Sequence, residues 1–322
     1  MRLPAAALVT LFLALGVTGA YSYVHDYYVY RGFPAATDPA GVPAGQVRFV
    51  RFYSPALHQR RVSVVYTPPG YAADAARGVR FPVLYLLHAP PGHPENYIKA
   101  GALNVRLDEL IVAHRIPPYI VVMPNGRSGT YGNDTEWANT PRAGRWEDYL
   151  LDVAHGVDRR YSTIRSRGAR AIAGLSEGGY AAANVALHHL RAFGAFESWS
   201  GYFVQTPTLS FARASPALLR ANSPLYYVAG LRRQIRRLGL HAYLYQGAHD
   251  DVSRARLRLF VQRLRRAGAV VGWRVYHGGH NWALWRSQLP HMLTWIGDVF
   301  ARAERRTPVK GTGRTVVARV GA

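Results

Sequence analysis

The chain of 322 residues contains no cysteine. Disulfide cross-links, a thiol nucleophile and every cysteine-based metal site are thereby excluded, and the redox compartment is left open. Lysine is almost missing as well, with only Lys99 and Lys310, so the formal net charge of +22 rests on arginine. A field of that sign attracts anionic surfaces. The arginines are nevertheless spread along the chain, as in Leu231-Arg-Arg-Gln-Ile-Arg-Arg237 and Arg254-x-Arg256-x-Arg258, a spacing that suits solvated helix faces. We expect an anionic envelope surface as a partner at most, and no nucleic acid. No glycine-rich dinucleotide or phosphate loop follows the first parallel strand, so no cofactor is expected. His277-x-x-His280 lacks carboxylate or cysteine partners at metal-ligand spacing, so no metal is expected either. There is no internal repeat.

What is present begins with Arg2 and an apolar run over 5–20, after which the next charged residue is Asp26. This reads as a secretory signal or a single membrane anchor, which places the remainder in a secreted form or on the outer face of the cytoplasmic membrane. Residues 1–20 are therefore set apart as signal or anchor. Residues 21–45, aromatic and then rich in Pro, Gly and Ala, read as a linker. A domain over 46–303 follows, and a basic, Gly-containing tail over 304–322 carries no packing pattern.

Within the domain, Val47-x-Phe49 and Val50-x-Phe52 alternate but slip phase by one, which predicts a bulge. Val62–Tyr66 is a second strand antiparallel to the first, with the connection around 55–60. Strand then alternates with helix: strands at 82–87, 119–123, 169–173, 196–200, 241–245 and 272–276, and helices at 103–114, 146–161, 179–190, 252–267 and 282–303. A helical insertion covers 209–238. This alternation implies a mostly parallel sheet covered on both faces.

The most informative stretch is Ala171-Ile-Ala-Gly-Leu-Ser-Glu-Gly-Gly179, an apolar strand running through Gly174-x-Ser176-x-Gly178 into a helix. A serine on so sharp a turn exposes its hydroxyl, and the new helix aims free N–H groups at it. Serine needs a base, and the base needs an orienting carboxylate. Two later strands end in Gln246-Gly-Ala-His-Asp250-Asp251 and His277-Gly-Gly-His280-Asn-Trp282, where open α/β sheets place their sites. We assign Ser176 as nucleophile, Asp250 as acid with Asp251 as alternative, and His280 as base. One of the two aspartates is expected to cap helix 252–267, and His277 is read as structural. The oxyanion hole is expected from the N–H of Glu177 and from the loop His88-Ala89-Pro90-Pro91-Gly92, where proline has no N–H. Ala89 is the expected donor there, with Gly92 as alternative. Tyr131, Trp137, Trp199, Tyr202 and Trp282 are expected to line the acyl pocket, although aromatics also serve cores.

Val83–His88, Gly174–Tyr180, Gly247–Asp250 and Gly279–Trp282 together resemble the Putative esterase family of α/β-hydrolases. That family includes feruloyl esterases, S-formylglutathione hydrolases, enterochelin esterases and mycolyltransferases. The likeness covers about 46–302 and implies an α/β-hydrolase fold: a mostly parallel sheet with antiparallel N-terminal strands and helices on both faces. It implies the same three residues, Ser176, Asp250 and His280. It also implies a serine hydrolase acting on small-molecule or lipid carboxylic esters. Two alternatives stand beside this: acyl transfer to sugar or glycerol hydroxyls, and a hydrolase-fold envelope protein without activity. The chain departs from the family's usual His-Gly or Asp-Gly in the first loop, where it has His88-Ala89 followed by Pro90.

Overall fold

The computed structural model describes residues 5–129 and 134–306. Eight strands form one sheet: β1 (Gln46–Ser54), β2 (Gln59–Thr67), β3 (Val83–Leu87), β4 (Ile120–Pro124), β5 (Arg170–Leu175), β6 (Ala195–Trp199), β7 (His241–His249) and β8 (Val270–Gly279). Their spatial order is β1-β2-β4-β3-β5-β6-β7-β8. Only β2 is reversed. It pairs antiparallel with both β1 and β4, so β1 points the same way as the other six. The remaining pairs are parallel.

The continuous apolar runs of β3 and β4 follow from this topology. Every residue of both strands is buried, because helices cover each face of the sheet. On one face lie α3 (Trp146–Arg160), α4 (Glu177–His188) and α5 (Arg254–Ala267), which bring Tyr149, Val153, Val185, Phe260 and Leu264 into one core. On the other lie α2 (Leu103–Val112) and α6 (Trp282–Arg306), which contribute Leu103, Leu107, Leu289, Met292 and Ile296 to a second. In α3 the buried Trp146, Tyr149, Leu150, Val153 and Val157 recur at helical spacing, with acids in its first turn and arginines in its last. This is the α/β-hydrolase fold.

Three details differ from expectation. The register of β1 on β2 runs unbroken from Gln46 to Ser54, with no bulge. Val50, Phe52 and Ser54 face inward, and the apparent phase slip came from Phe49, which is exposed on this edge strand. Strand β7 continues past Tyr245 to His249 and so carries its chain directly to Asp250. Neither aspartate caps α5. Ser253 does, its Oγ accepting from the N–H of Arg256 at 3.3 Å. The arginines of the two basic runs, Arg232, Arg233, Arg236 and Arg237 together with Arg254, Arg256 and Arg258, are exposed, as solvated faces require.

Before the domain, α1 (Ala5–Tyr28) is a single apolar helix, long enough by length and composition to cross a membrane, and its apolar stretch is not buried by the domain. The last helix reaches Arg306; the rest of the expected tail, 307–322, lies outside the described residues.

Candidate active site

Four strands, β5 to β8, end at the same edge of the sheet, and each delivers one part of the site. Ser176 follows β5 directly and adopts φ 55° and ψ −119°. A side-chain-bearing residue held there stores about 1–3 kcal/mol of backbone strain. The two flanking glycines explain how the turn fits. A Cβ on Gly174 would come within 2.6 Å of the Leu87 carbonyl oxygen, and one on Gly178 within 2.0 Å of the same atom. Chain and neighbouring strand are pressed together, which leaves Ser176 alone at the apex. Its N–H donates to the carbonyl of Trp199 at 2.8 Å. Helix α4 starts at Glu177 and is buried along nearly its whole length, so its positive end meets the serine with little solvent screening.

His280 and Asp250 come together from the ends of β8 and β7. The loops can approach because a Cβ on Gly247 would lie only 2.3 Å from the Gly278 carbonyl oxygen. His280 Nδ1 is 2.8 Å from Asp250 Oδ1 and 3.3 Å from Asp251 Oδ1. The Asp250 side chain is fully shielded, whereas that of Asp251 is 83% exposed. Burial pushes the Asp250 carboxyl up. The hydrogen bond from His280, a second with Ser200, the imidazole's charge and the N–H of Val252 outweigh it and hold the group at about 2. Burial lowers His280, but Asp250 and then Asp251 reverse this and leave its pKa raised. With the Nδ1 proton given to Asp250, Nε2 is the basic nitrogen. Asp250, Asp251 and His280 are also the one group of three acids and histidines among the described residues whose possible ligand atoms all lie within 4.8 Å of one another.

Ser176 and His280 line one cleft of about 500 Å³, together with Leu175, Ala89, Pro90, Pro91, Gly92, Asn281, Trp282, Ala283 and Trp285. A second hollow of about 510 Å³, around Pro141, Ser210 and Arg213, shares none of the described residues with it and has neither a carboxylate nor a histidine among those in its wall. In the first loop the N–H of Gly92 is already given to the Ala89 carbonyl at 2.8 Å. His88 is buried behind this loop. Its Nε2 accepts from the N–H of Gly126 at 3.1 Å, and burial lowers its pKa to about 3, so it stays neutral.

The aromatic residues expected at the substrate site divide. Trp282 lines the cleft, its ring edge-on to Tyr97 and Trp285. Trp137 and Trp199 are core residues instead, each 1% exposed. Their indole N–H groups are spent on the His88 carbonyl at 3.0 Å and on Glu197 at 2.9 Å. Tyr202 stacks on Tyr180 and donates to Glu136 Oε2 at 2.6 Å. Tyr131 lies outside the described residues. His277 is exposed and packs edge-on to His249.

Several neighbours of the site were not apparent from the sequence. Ser200, at the end of β6, accepts from Trp285 Nε1 at 3.1 Å and supports Asp250; its polarity at a strand's carboxyl end was a usable signal. A carboxyl cluster of Asp134, Glu136 and Glu177 lies under the turn. Burial, followed by the charges of Glu136 and Asp134, pushes the Glu177 carboxyl well up. Tyr27, Arg31 and Phe33 also line the cleft, although they belong to the segment read as a linker, where composition gave no hint of contact.

With this geometry in view, the chain can be placed among known proteins. The Putative esterase family matches residues 54–296, three quarters of the chain, and the chain belongs to that family. Among curated relatives, an endo-1,4-beta-xylanase/feruloyl esterase of Xylanibacter ruminicola is 29% identical over 55% of this chain and 23% of its own length. An uncharacterised protein of Corynebacterium glutamicum is 23% identical over 73% of this chain and 57% of its own. An esterase of Mycobacterium tuberculosis is 28% identical over 48% of this chain and 32% of its own. The chain thus spans between 23% and 57% of the length of these relatives. Among solved structures, a ferulic acid esterase superposes with a TM-score of 0.70 at 25% identity, covering 80% of this chain and 99% of the other. The S-formylglutathione hydrolase of Staphylococcus aureus shares the fold, with a TM-score of 0.64 at 20% identity over 81% of this chain and all of its own.

Proposed function

We propose that the chain is a serine ester hydrolase, exported and held at the membrane by α1, with Ser176 as nucleophile, His280 as base and Asp250 as the acid that orients it. The observation that carries this reading is the cleft shared by Ser176, at the strained turn, and His280, whose other ring nitrogen is held by the shielded Asp250. Ser176 Oγ attacks the ester carbonyl while His280 Nε2 takes its proton, and the imidazolium is stabilised across the 2.8 Å contact with Asp250. The N–H of Glu177, at the head of α4, and that of Ala89 hold the oxyanion. Collapse releases the alcohol, which receives the proton from His280. Water then attacks the acyl-enzyme with His280 again as base, freeing the acid and restoring Ser176. Family membership and the ester-cleaving names of the relatives support the reaction class.

The test is hydrolysis of p-nitrophenyl esters of increasing acyl length by the chain and by Ser176→Ala. Serine-dependent release is expected, and the chain-length profile measures the cleft. Equal activity in the variant refutes the assignment. Release that is diverted to an added sugar or glycerol acceptor identifies the enzyme as an acyltransferase, and inactivity of both folded proteins identifies a non-catalytic relative.

A further inference from the structure

We propose that the segment following α1 is a wall of the substrate site, and that the site takes an amphiphilic ester with an anionic headgroup, drawn from the surface of the bilayer that α1 spans. This rests on the assignment of Ser176.

The helix and the cleft are joined by a tight turn. After Tyr28 the N–H of Gly32 returns to the Asp26 carbonyl at 2.6 Å, and the N–H of Phe33 to that of Tyr30 at 3.1 Å. Arg31 and Gly32 take positive φ, 57° and 79°, and so reverse the chain into the cleft rather than away from it. Phe33 is then clamped by Arg286 of α6, whose guanidinium carbon lies 4.8 Å from the ring centre, while Arg286 also donates to the Ala100 carbonyl at 3.0 Å. The far end of the segment is pinned where Gly45 N–H donates to Asp108 Oδ1 at 2.9 Å. Residues 33–45 are thus fastened to the domain at both ends. Tyr27, Arg31 and Phe33 share the cleft with Ser176 and His280.

The same turn fixes the depth of the cleft relative to a membrane. Helix α1 exposes Leu8, Leu11, Phe12, Leu15 and Val17 along its length. The 23 residues from Ala6 to Tyr28 rise about 34 Å, against a hydrocarbon thickness of about 30 Å. About 20 residues fill that thickness, so the last turn beyond them carries exposed Tyr27 and Tyr28, the residue type that settles at the headgroup level. Tyr27 belongs to both this belt and the cleft wall. The cleft mouth therefore sits at headgroup height, where an acyl chain leaves the bilayer and an ester bond is found.

The charge at that mouth selects the headgroup. The Arg31 guanidinium lines the cleft half-exposed, with no hydrogen bond or ion pair to the described residues, and is free to meet an anionic ligand there. Arg127 stands beside the same loop, donating to the Pro91 carbonyl at 2.6 Å and lying 3.0 Å from His93 Nε2. Lys99 completes the basic group around His93, and Glu95 is the acid facing it. A phosphate oxygen is the acceptor that arginine matches.

The experiment uses the full chain in detergent micelles, with lysophosphatidylglycerol and lysophosphatidylcholine of one acyl chain as probes and fatty-acid release as the readout. The chain is expected to prefer the anionic lipid, and Arg31→Glu to lower that preference about tenfold or more. Arg256→Glu, an equal charge change on the exposed face of α5, is expected to leave the preference within about twofold. An unchanged preference in Arg31→Glu, or an equal fall in Arg256→Glu, overturns the proposal, the latter by showing a bulk-charge effect. Failure of the underlying assignment is distinct: Ser176→Ala would then release as much p-nitrophenol from p-nitrophenyl butyrate as the unaltered chain.

Discussion

Two aspartates approach the same imidazole nitrogen, and replacing each by asparagine decides which one serves it. Distance barely separates them, at 2.8 Å for Asp250 and 3.3 Å for Asp251. Solvent does. At an effective dielectric of about 20, unit charges at the Asp250 separation interact by roughly 6 kcal/mol. Breaking a shielded pair by removing one partner costs about 3–5 kcal/mol, since the other charge is left uncompensated. Asp251, 83% exposed, makes a contact of the kind worth about 0–1 kcal/mol. At 1.36 kcal/mol per tenfold, Asp250→Asn is predicted to lower kcat about 10²–10⁴-fold and Asp251→Asn less than about fivefold. The assay is kcat for p-nitrophenyl acetate at saturation, with circular dichroism confirming that both variants fold. A loss in Asp251→Asn equal to that in Asp250→Asn, or Asp250→Asn retaining more than about a tenth of kcat, would refute the reasoning.

The pH profile of kcat/KM is predicted to rise with pH to a plateau. On the proposed assignment His280 works as a base only when neutral, and because Asp250 raises its pKa the midpoint lies above the ordinary histidine value of 6.5. Asp250, held at about 2, stays ionised throughout, and Asp250→Asn is expected to move the midpoint downward. Glu136 behaves in the opposite sense to an ordinary acid: burial, then the charge of Asp134, raises it from 4.5 to about 8 against the donations of Tyr202 and Gln205. A carboxyl raised on folding stabilises fully below its unfolded pKa and loses that contribution as pH rises through the folded one. Tm should therefore fall between pH 4.5 and about 8, and Glu136→Gln should remove much of that slope; an unaltered slope in the variant would count against it. Gly178→Ala is predicted to abolish soluble, active protein, because its Cβ would stand 2.0 Å from a backbone oxygen that cannot move aside; a stable, active variant would show that the turn is not so confined.

The sheet, its crossover helices and the Ser176 turn were legible because each is written locally. Buried parallel strands are apolar throughout, α3 repeats at helical spacing, and Gly174-x-Ser176-x-Gly178 marks a turn that only glycine neighbours permit. His280 and Asp250 were legible for a topological reason, since both follow strands that end at one edge. What was not legible depends on contacts distant in sequence. Trp137 and Trp199 read equally well as pocket or core residues, and their indole N–H partners, the His88 carbonyl and Glu197, decide for the core. The bulge was a misreading of the exposed Phe49 as an inward-facing residue. The cleft wall from Tyr27 to Phe33 had no periodic signal at all, because it is held by a turn, a clamp from Arg286 and a tether at Asp108.

The measurement that tests the central claim most directly is covalent labelling of the full chain with a fluorophosphonate, followed by peptide mass spectrometry. A single phosphonyl adduct on Ser176 is predicted, absent from Ser176→Ala and slowed by removal of His280. An adduct on another residue, or one that persists in Ser176→Ala, would contradict the assignment of Ser176 as the nucleophile.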